Sequence, residues 1–123
     1  MADTERAEHT PRPAGLSVVS TATDGIRVLT LAGEIDHHAG DQLRQALDFS
    51  DAYRPRFVIY LRQVTFLDST GINILITAHQ AVTAAGGWLR LAGPSESVLR
   101  TLQIVGIDDV IDCRSTLREA ISL

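Results

Sequence analysis

The stretch Phe66-Leu67-Asp68-Ser69-Thr70-Gly71 sets a pair of hydroxyls between a carboxylate and a glycine. It follows the continuous apolar run Phe57 to Leu61, the mark of a central strand. It precedes Ile72, Leu75, Ile76, His79 and Val82, which keep helical spacing. Ser69 therefore sits at a helix start, where a serine has two possible roles. Its hydroxyl can accept from a first-turn N–H and cap the helix, which is the commoner role. It can also accept a phosphoryl group, because a phosphate there meets free N–H donors and the positive end of the helix dipole. Phosphorylation adds about −1.5 to −2 charges, felt by a docked partner more than by the fold. Thr70 is a second hydroxyl, ordinarily a first-turn residue and otherwise a minor phosphoacceptor.

A second segment, Gly33-Glu34-Ile35-Asp36-His37-His38, ends an earlier strand in a similar way. Asp36 reads either as a cap for the helix starting near Ala39 or as a partner-facing carboxylate beside Ser69. Adjacent histidines rarely hold one ion from one element, and no Cys/His/carboxylate set with ligand spacing joins His37 and His38. No metal site and no cofactor are expected. Asp68-Ser69-Thr70-Gly71 is one residue longer than the Asp-Thr-Gly of aspartic proteases, and no second copy exists to share a proton. There is no Gly-x-Ser-x-Gly elbow and no glycine-rich loop with a lysine. These residues point to a regulatory domain and not to an enzyme.

Several elements must position the two segments. Leu16 to Ser20 reads as a strand, Asp24-Gly25 as a hairpin turn, and Ile26 to Ala32 as the returning strand. Ala39, Leu43, Ala46 and Leu47 share a helical face. After a loop around Pro55, the strand Phe57 to Leu61 leads to the serine corner and a helix that Gly86-Gly87 stops. Trp88 to Ala92 is a further strand, with Trp88 half-buried. Gly93-Pro94-Ser95 opens a helix through Val98, Leu99, Leu102 and Val105, ended by Gly106. Val110 to Cys113 reads as a last short strand, and Thr116 with Glu119 as a capping box for a C-terminal helix. The order predicts an α/β fold with a mostly parallel or mixed sheet flanked by helices.

A chain of 123 residues that is 45% apolar supports one domain with a proper core, needing no disulfide or metal staple. A net charge of −4 with dispersed acids argues against nucleic acid. Cys113 is the only cysteine and reads as a buried free thiol, consistent with a reducing compartment. Residues 1–13 are charged, carry two prolines and have no apolar run, so they read as a disordered tail and not as a signal peptide. No stretch approaches the roughly 20 apolar residues of a membrane span. A soluble cytoplasmic protein, with residues 14–123 as its domain, is the expectation.

At these two segments the chain resembles the anti-sigma factor antagonist family, the bacterial STAS-domain proteins. Gly33-Glu34-Ile35-Asp36-His37-His38 is similar to the family's Gly-Glu-Leu/Ile-Asp segment, and Asp68-Ser69-Thr70-Gly71 to its phosphorylation loop. The resemblance runs from about Leu16 to Leu123. It implies one STAS-like domain, a mixed sheet of four or five strands flanked by about four helices. It implies phosphorylation at Ser69 by an anti-sigma factor with a GHKL-type serine kinase fold. The unphosphorylated form would bind that kinase and free a sigma factor, and a PP2C-type phosphatase would reverse the modification. The implied contact surface holds Asp36, His37, Asp68, Ser69, Thr70, Gly71 and Asn73, on a monomer or weak dimer. Two residues depart from the family pattern. Tyr60 stands where an aspartate or asparagine is usual, with a possible effect on the polar support behind the loop. Asn73 stands where a glycine is often found. The alternative function is a STAS scaffold or sensor module of a larger assembly, binding a small ligand or nucleotide. A small hydrolase using Ser69 would lack a base and an oxyanion motif.

Overall fold

In the computed structural model, which describes residues 15–49 and 53–122, Asp24 and Gly25 both take positive φ, 52° and 81°. That conformation reverses a chain in two residues. It joins β1 (Leu16–Thr23) to β2 (Ile26–Ile35) as an antiparallel pair in unbroken register, from Thr23 opposite Ile26 to Leu16 opposite Gly33. Every later connection carries a helix. α1 (Gly40–Ala46) leads to β3 (Arg56–Leu67), α2 (Ser69–Ala84) to β4 (Trp88–Ala92), and α3 (Glu96–Ile104) to β5 (Asp112–Arg114). α4 (Leu117–Ile121) closes the order. The strands lie in the order β1-β2-β3-β4-β5, with β2 to β5 mutually parallel. Among the described residues the fold is the expected α/β domain with a mixed five-stranded sheet and four helices.

Alternation along β3 builds two cores. Phe57, Ile59 and Leu61 point to one face, where Leu43, Leu75, Val82 and Leu102 cover them from α1, α2 and α3. Val58 and Tyr60 point to the other, where Ile26, Val28 and Ala92 meet Ala120, Leu117 and Ile121. The apolar run thus marks a strand covered on both faces.

Two strands run further than their apolar runs suggest. β2 continues to Ile35 and β3 to Leu67, and these two buried residues are register partners. Between them lie the exposed Arg62, Gln63 and Thr65. Register shifts beside Ala32 and Glu34 absorb the extra residues of β3. The last strand is Asp112–Arg114 and not Val110 to Cys113. Val110 is exposed after the 3-10 turn Ile107–Asp109, and only Ile111 of that pair is buried. Cys113 is half-buried and not enclosed. The tail expected over residues 1–13 lies outside the described residues.

α4 is five residues long; its apolar face packs in the second core, and one side chain ties down its end. Arg90 Nη1 donates to the Ala120 and Ser122 carbonyls, each at 2.8 Å. Its guanidinium lies 3.9 Å from the centre of the half-buried Trp88 ring and faces Asp112 at 3.5 Å. Thr116 Oγ1 accepts from the Glu119 N–H at 3.1 Å. The return arm of this capping box reaches Ser115 N–H instead of Thr116 N–H, at 3.2 Å.

Candidate functional site

Because Ile35 and Leu67 are partners on parallel strands, Asp36 and Asp68 leave the sheet side by side. The Asp68 N–H donates to the Ile35 carbonyl at 3.1 Å and ties the two exits together. Both segments therefore meet at the C-terminal edge of the parallel strands, where α/β proteins place their sites.

The cap expected of Ser69 belongs to Asp68. Asp68 has extended backbone, φ −100° and ψ −175°, and its Oδ1 accepts from the Gly71 N–H at 3.1 Å. The first helical bond runs from the Ile72 N–H to the Asp68 carbonyl at 3.0 Å. Ser69 is thereby the first residue of α2. It is exposed, and its hydroxyl makes no hydrogen bond among the described residues. Thr70 is half-buried. Gly71 is buried, and a Cβ there would stand 2.6 Å from both Ile35 Cγ2 and Leu67 Cδ1, and 3.1 Å from the Ile35 carbonyl oxygen. Only a glycine lets the helix start press this closely on the strand ends.

Asp36 is half-buried and shapes the turn before α1. Its Oδ1 accepts from the His38 and Ala39 N–H groups at 3.0 and 3.2 Å. The helix cap position itself falls on Ala39, which has no side-chain bond to give. His37 and His38 are exposed on the same rim, their ring centres 3.9 Å apart. Gly33 has φ +105°, and the Gly15 carbonyl fills the place a side chain would need. Its part in the segment is structural.

The STAS domain family matches residues 17–120, nearly the whole chain. This chain belongs to the STAS domain family. The anti-sigma-B factor antagonist of Bacillus subtilis (strain 168) is 33% identical over 84 residues, covering 68% of this chain and 77% of that protein. The crystal structure of an anti-sigma factor antagonist from Mycobacterium paratuberculosis superposes with a TM-score of 0.80 at 26% identity, over 91% of this chain and 96% of that one. The anti-sigma factor antagonist SpoIIAA in its unphosphorylated form gives 0.69 at 25% identity, over 85% and 93%. The same Bacillus protein in its phosphorylated form gives 0.63 at 24%, over 85% and 96%.

Within this STAS domain, Asn73 is exposed one turn beyond Ser69 on α2. It borders a groove of about 230 Å³ between α1 and α2, with Arg44, Leu47, Phe49 and Thr77. Phe66 leaves 49% of its surface exposed beside the loop, an apolar contributor that sequence reasoning did not single out. Strand alternation does not reveal it, since Phe66 is two residues from buried Val64 and the register shift between Gly33 and Glu34, opposite Val64 and Phe66, turns it outward. Tyr60 does not stand behind the loop. It precedes Leu67 by seven residues, roughly 20 Å of strand. Its ring packs on the opposite core, where a Cβ on Gly93 would lie 2.8 Å from it. Its side chain is therefore no part of the polar support expected behind the loop. Among the described residues no three His, Cys, Asp or Glu gather as a metal donor set, and no helix is long and apolar enough to cross a membrane.

Proposed function

We propose that this STAS domain is an anti-sigma factor antagonist whose grip on an anti-sigma factor is released by phosphorylation of Ser69. The observation that carries the reading is the division of labour at the start of α2. Asp68 performs the cap, and Ser69 stands exposed with an unengaged hydroxyl. A phosphate on Ser69 meets first-turn N–H groups and the positive helix end, so the fold tolerates it. It also adds about −1.5 to −2 charges beside two half-buried carboxylates, Asp36 and Asp68. A partner packed against this rim then faces a like-charge cluster that it must desolvate. The switch works at the interface and needs no rearrangement of the sheet.

The contact surface in this reading is Asp36, His37, Asp68, Ser69, Thr70 and Asn73, with Gly71 holding the helix start in place. The partner is an anti-sigma factor with a GHKL-type serine kinase fold, and a PP2C-type phosphatase restores binding. The domain is a cytoplasmic regulator and not an enzyme. SpoIIAA, an antagonist of the same fold solved with and without its phosphoryl group, supports the reading by analogy.

A pull-down with wild type, Ser69→Ala and Ser69→Asp as baits tests it. A GHKL-type ATPase should be retained by Ser69→Ala and lost by Ser69→Asp. Equal capture by both variants would remove the charge switch from this site.

A further inference from the structure

The sheet has two edges, and they are unequal. β5 exposes three residues of main chain and β1 eight. Exposed edges invite pairing with another strand, and proteins commonly blunt them with charges, proline, bulges or brevity. β1 uses none of these. Its sequence Leu-Ser-Val-Val-Ser-Thr-Ala-Thr has no charge and no proline, and its register against β2 is unbroken. The whole chain contains no lysine.

The direction of the β1 main-chain groups follows from its pairing. The Glu34 N–H donates to the Gly15 carbonyl at 3.2 Å, so Gly15 faces β2. Antiparallel residues alternate between inward and outward main-chain groups, so Leu16, Val18, Ser20 and Ala22 face outward. One of these is already served, because Gln42 Nε2 of α1 donates to the Leu16 carbonyl at 2.8 Å. Among the described residues Val18, Ser20 and Ala22 keep an open edge, flanked by the 44% exposed Val19.

We propose that this edge docks a second copy of the same chain, β1 against β1, antiparallel over Val18 to Ala22. A two-fold axis through Ser20 sets Val18 opposite Ala22 and Ser20 opposite itself. Every side chain so paired is small or β-branched, and none is charged, so no ion is desolvated. The copy also brings an equally uncharged, bulge-free edge. A foreign strand would find no charge on β1 to select it. The product is a symmetric dimer with one continuous sheet through both molecules. The pairing does not involve Ser69 and stands independently of the switch.

Sedimentation velocity of the full chain across a hundredfold concentration range, with amide hydrogen exchange at both extremes, tests the proposal. A monomer–dimer equilibrium is expected. The Val18, Ser20 and Ala22 amides should gain protection at high concentration, while those of Val19 and Thr21, facing β2, stay unchanged. Ser20→Lys sets two ammonium groups together on the axis and should weaken dimerisation more than tenfold. Ser20→Pro deletes the central outward donor and should do the same. A wild type that stays monomeric throughout would overturn the proposal. So would a dimer whose Val18, Ser20 and Ala22 amides exchange freely, or a Ser20→Lys variant that dimerises like wild type.

Discussion

Asp68 and Ser69 are both good capping residues, and one position of offset decides which of them holds the helix. The decision is made by the end of β3. Its last register contact at Leu67 leaves Asp68 extended and aims the carboxylate, not the hydroxyl, at the first turn. A helix start was legible in the sequence, but the offset was not, because propensity ranks the two side chains alike. Gly71→Ala tests the same corner. Its Cβ would overlap Ile35 and Leu67, so we expect a loss of about 1–3 kcal/mol in urea unfolding, as for overpacking elsewhere. A neutral result would mean that the helix start can lift from the sheet without cost. Cys113 makes a second test at this scale. Burial, followed by the nearby Asp108 and Asp112 charges, pushes its thiol up and away from the reactive thiolate. Alkylation of the native protein at neutral pH should be much slower than that of the urea-unfolded chain, and equal rates would contradict this environment.

At the scale of elements, the hairpin, the central strand and the serine-led helix were all readable from turn residues and apolar period. Strand lengths were not. Apolar runs end where side chains become exposed, while main-chain pairing in β3 carries on through Arg62, Gln63 and Thr65 to the site. Those polar residues reach the site edge and hide the strand that positions it. The placement of α4 was equally hidden, because its end is tied by Arg90, an arginine inside a strand. Arg90→Ala removes two 2.8 Å hydrogen bonds to the α4 end and the stacking on Trp88. A loss of about 2 kcal/mol is expected for charge-assisted bonds of this kind, with raised amide exchange confined to Leu117–Ile121. Unchanged exchange there would show that α4 docks by its apolar face alone. The neighbouring pair adds a small pH term. Two hydrogen bonds from Arg114 hold the Asp112 carboxyl below the usual carboxylate range. A depressed folded pKa stabilises in full above the unfolded value of about 3.9 and is lost as pH falls through the folded value. The pair is largely exposed, so the effect is screened. Asp112→Asn should lower stability slightly at neutral pH, leave it unchanged below the folded pKa, and so flatten the acid limb of the stability curve. An unaltered acid limb would contradict it.

For the whole molecule, the order of elements was legible because helix and strand periods alternate cleanly after the opening hairpin. That order sends two parallel strands to a common edge and sets two acid-bearing turns against one helix start. The partition of helices between faces was not legible, since an apolar run covered on both sides does not say which helix covers which. In the proposed switch the domain should keep its core intact whether or not Ser69 carries a phosphate, because Ser69 is exposed and makes no hydrogen bond among the described residues. That separation of switch from scaffold is the central claim. Its most direct test is calorimetric titration of the captured anti-sigma factor with wild type and with protein carrying phosphoserine at position 69, alongside thermal melts of both. The account predicts binding weakened at least tenfold, about 1.4 kcal/mol, with melting temperatures that stay close together. Equal affinities would contradict the switch, and a large fall in melting temperature on phosphorylation would contradict the claim that it acts at the interface alone.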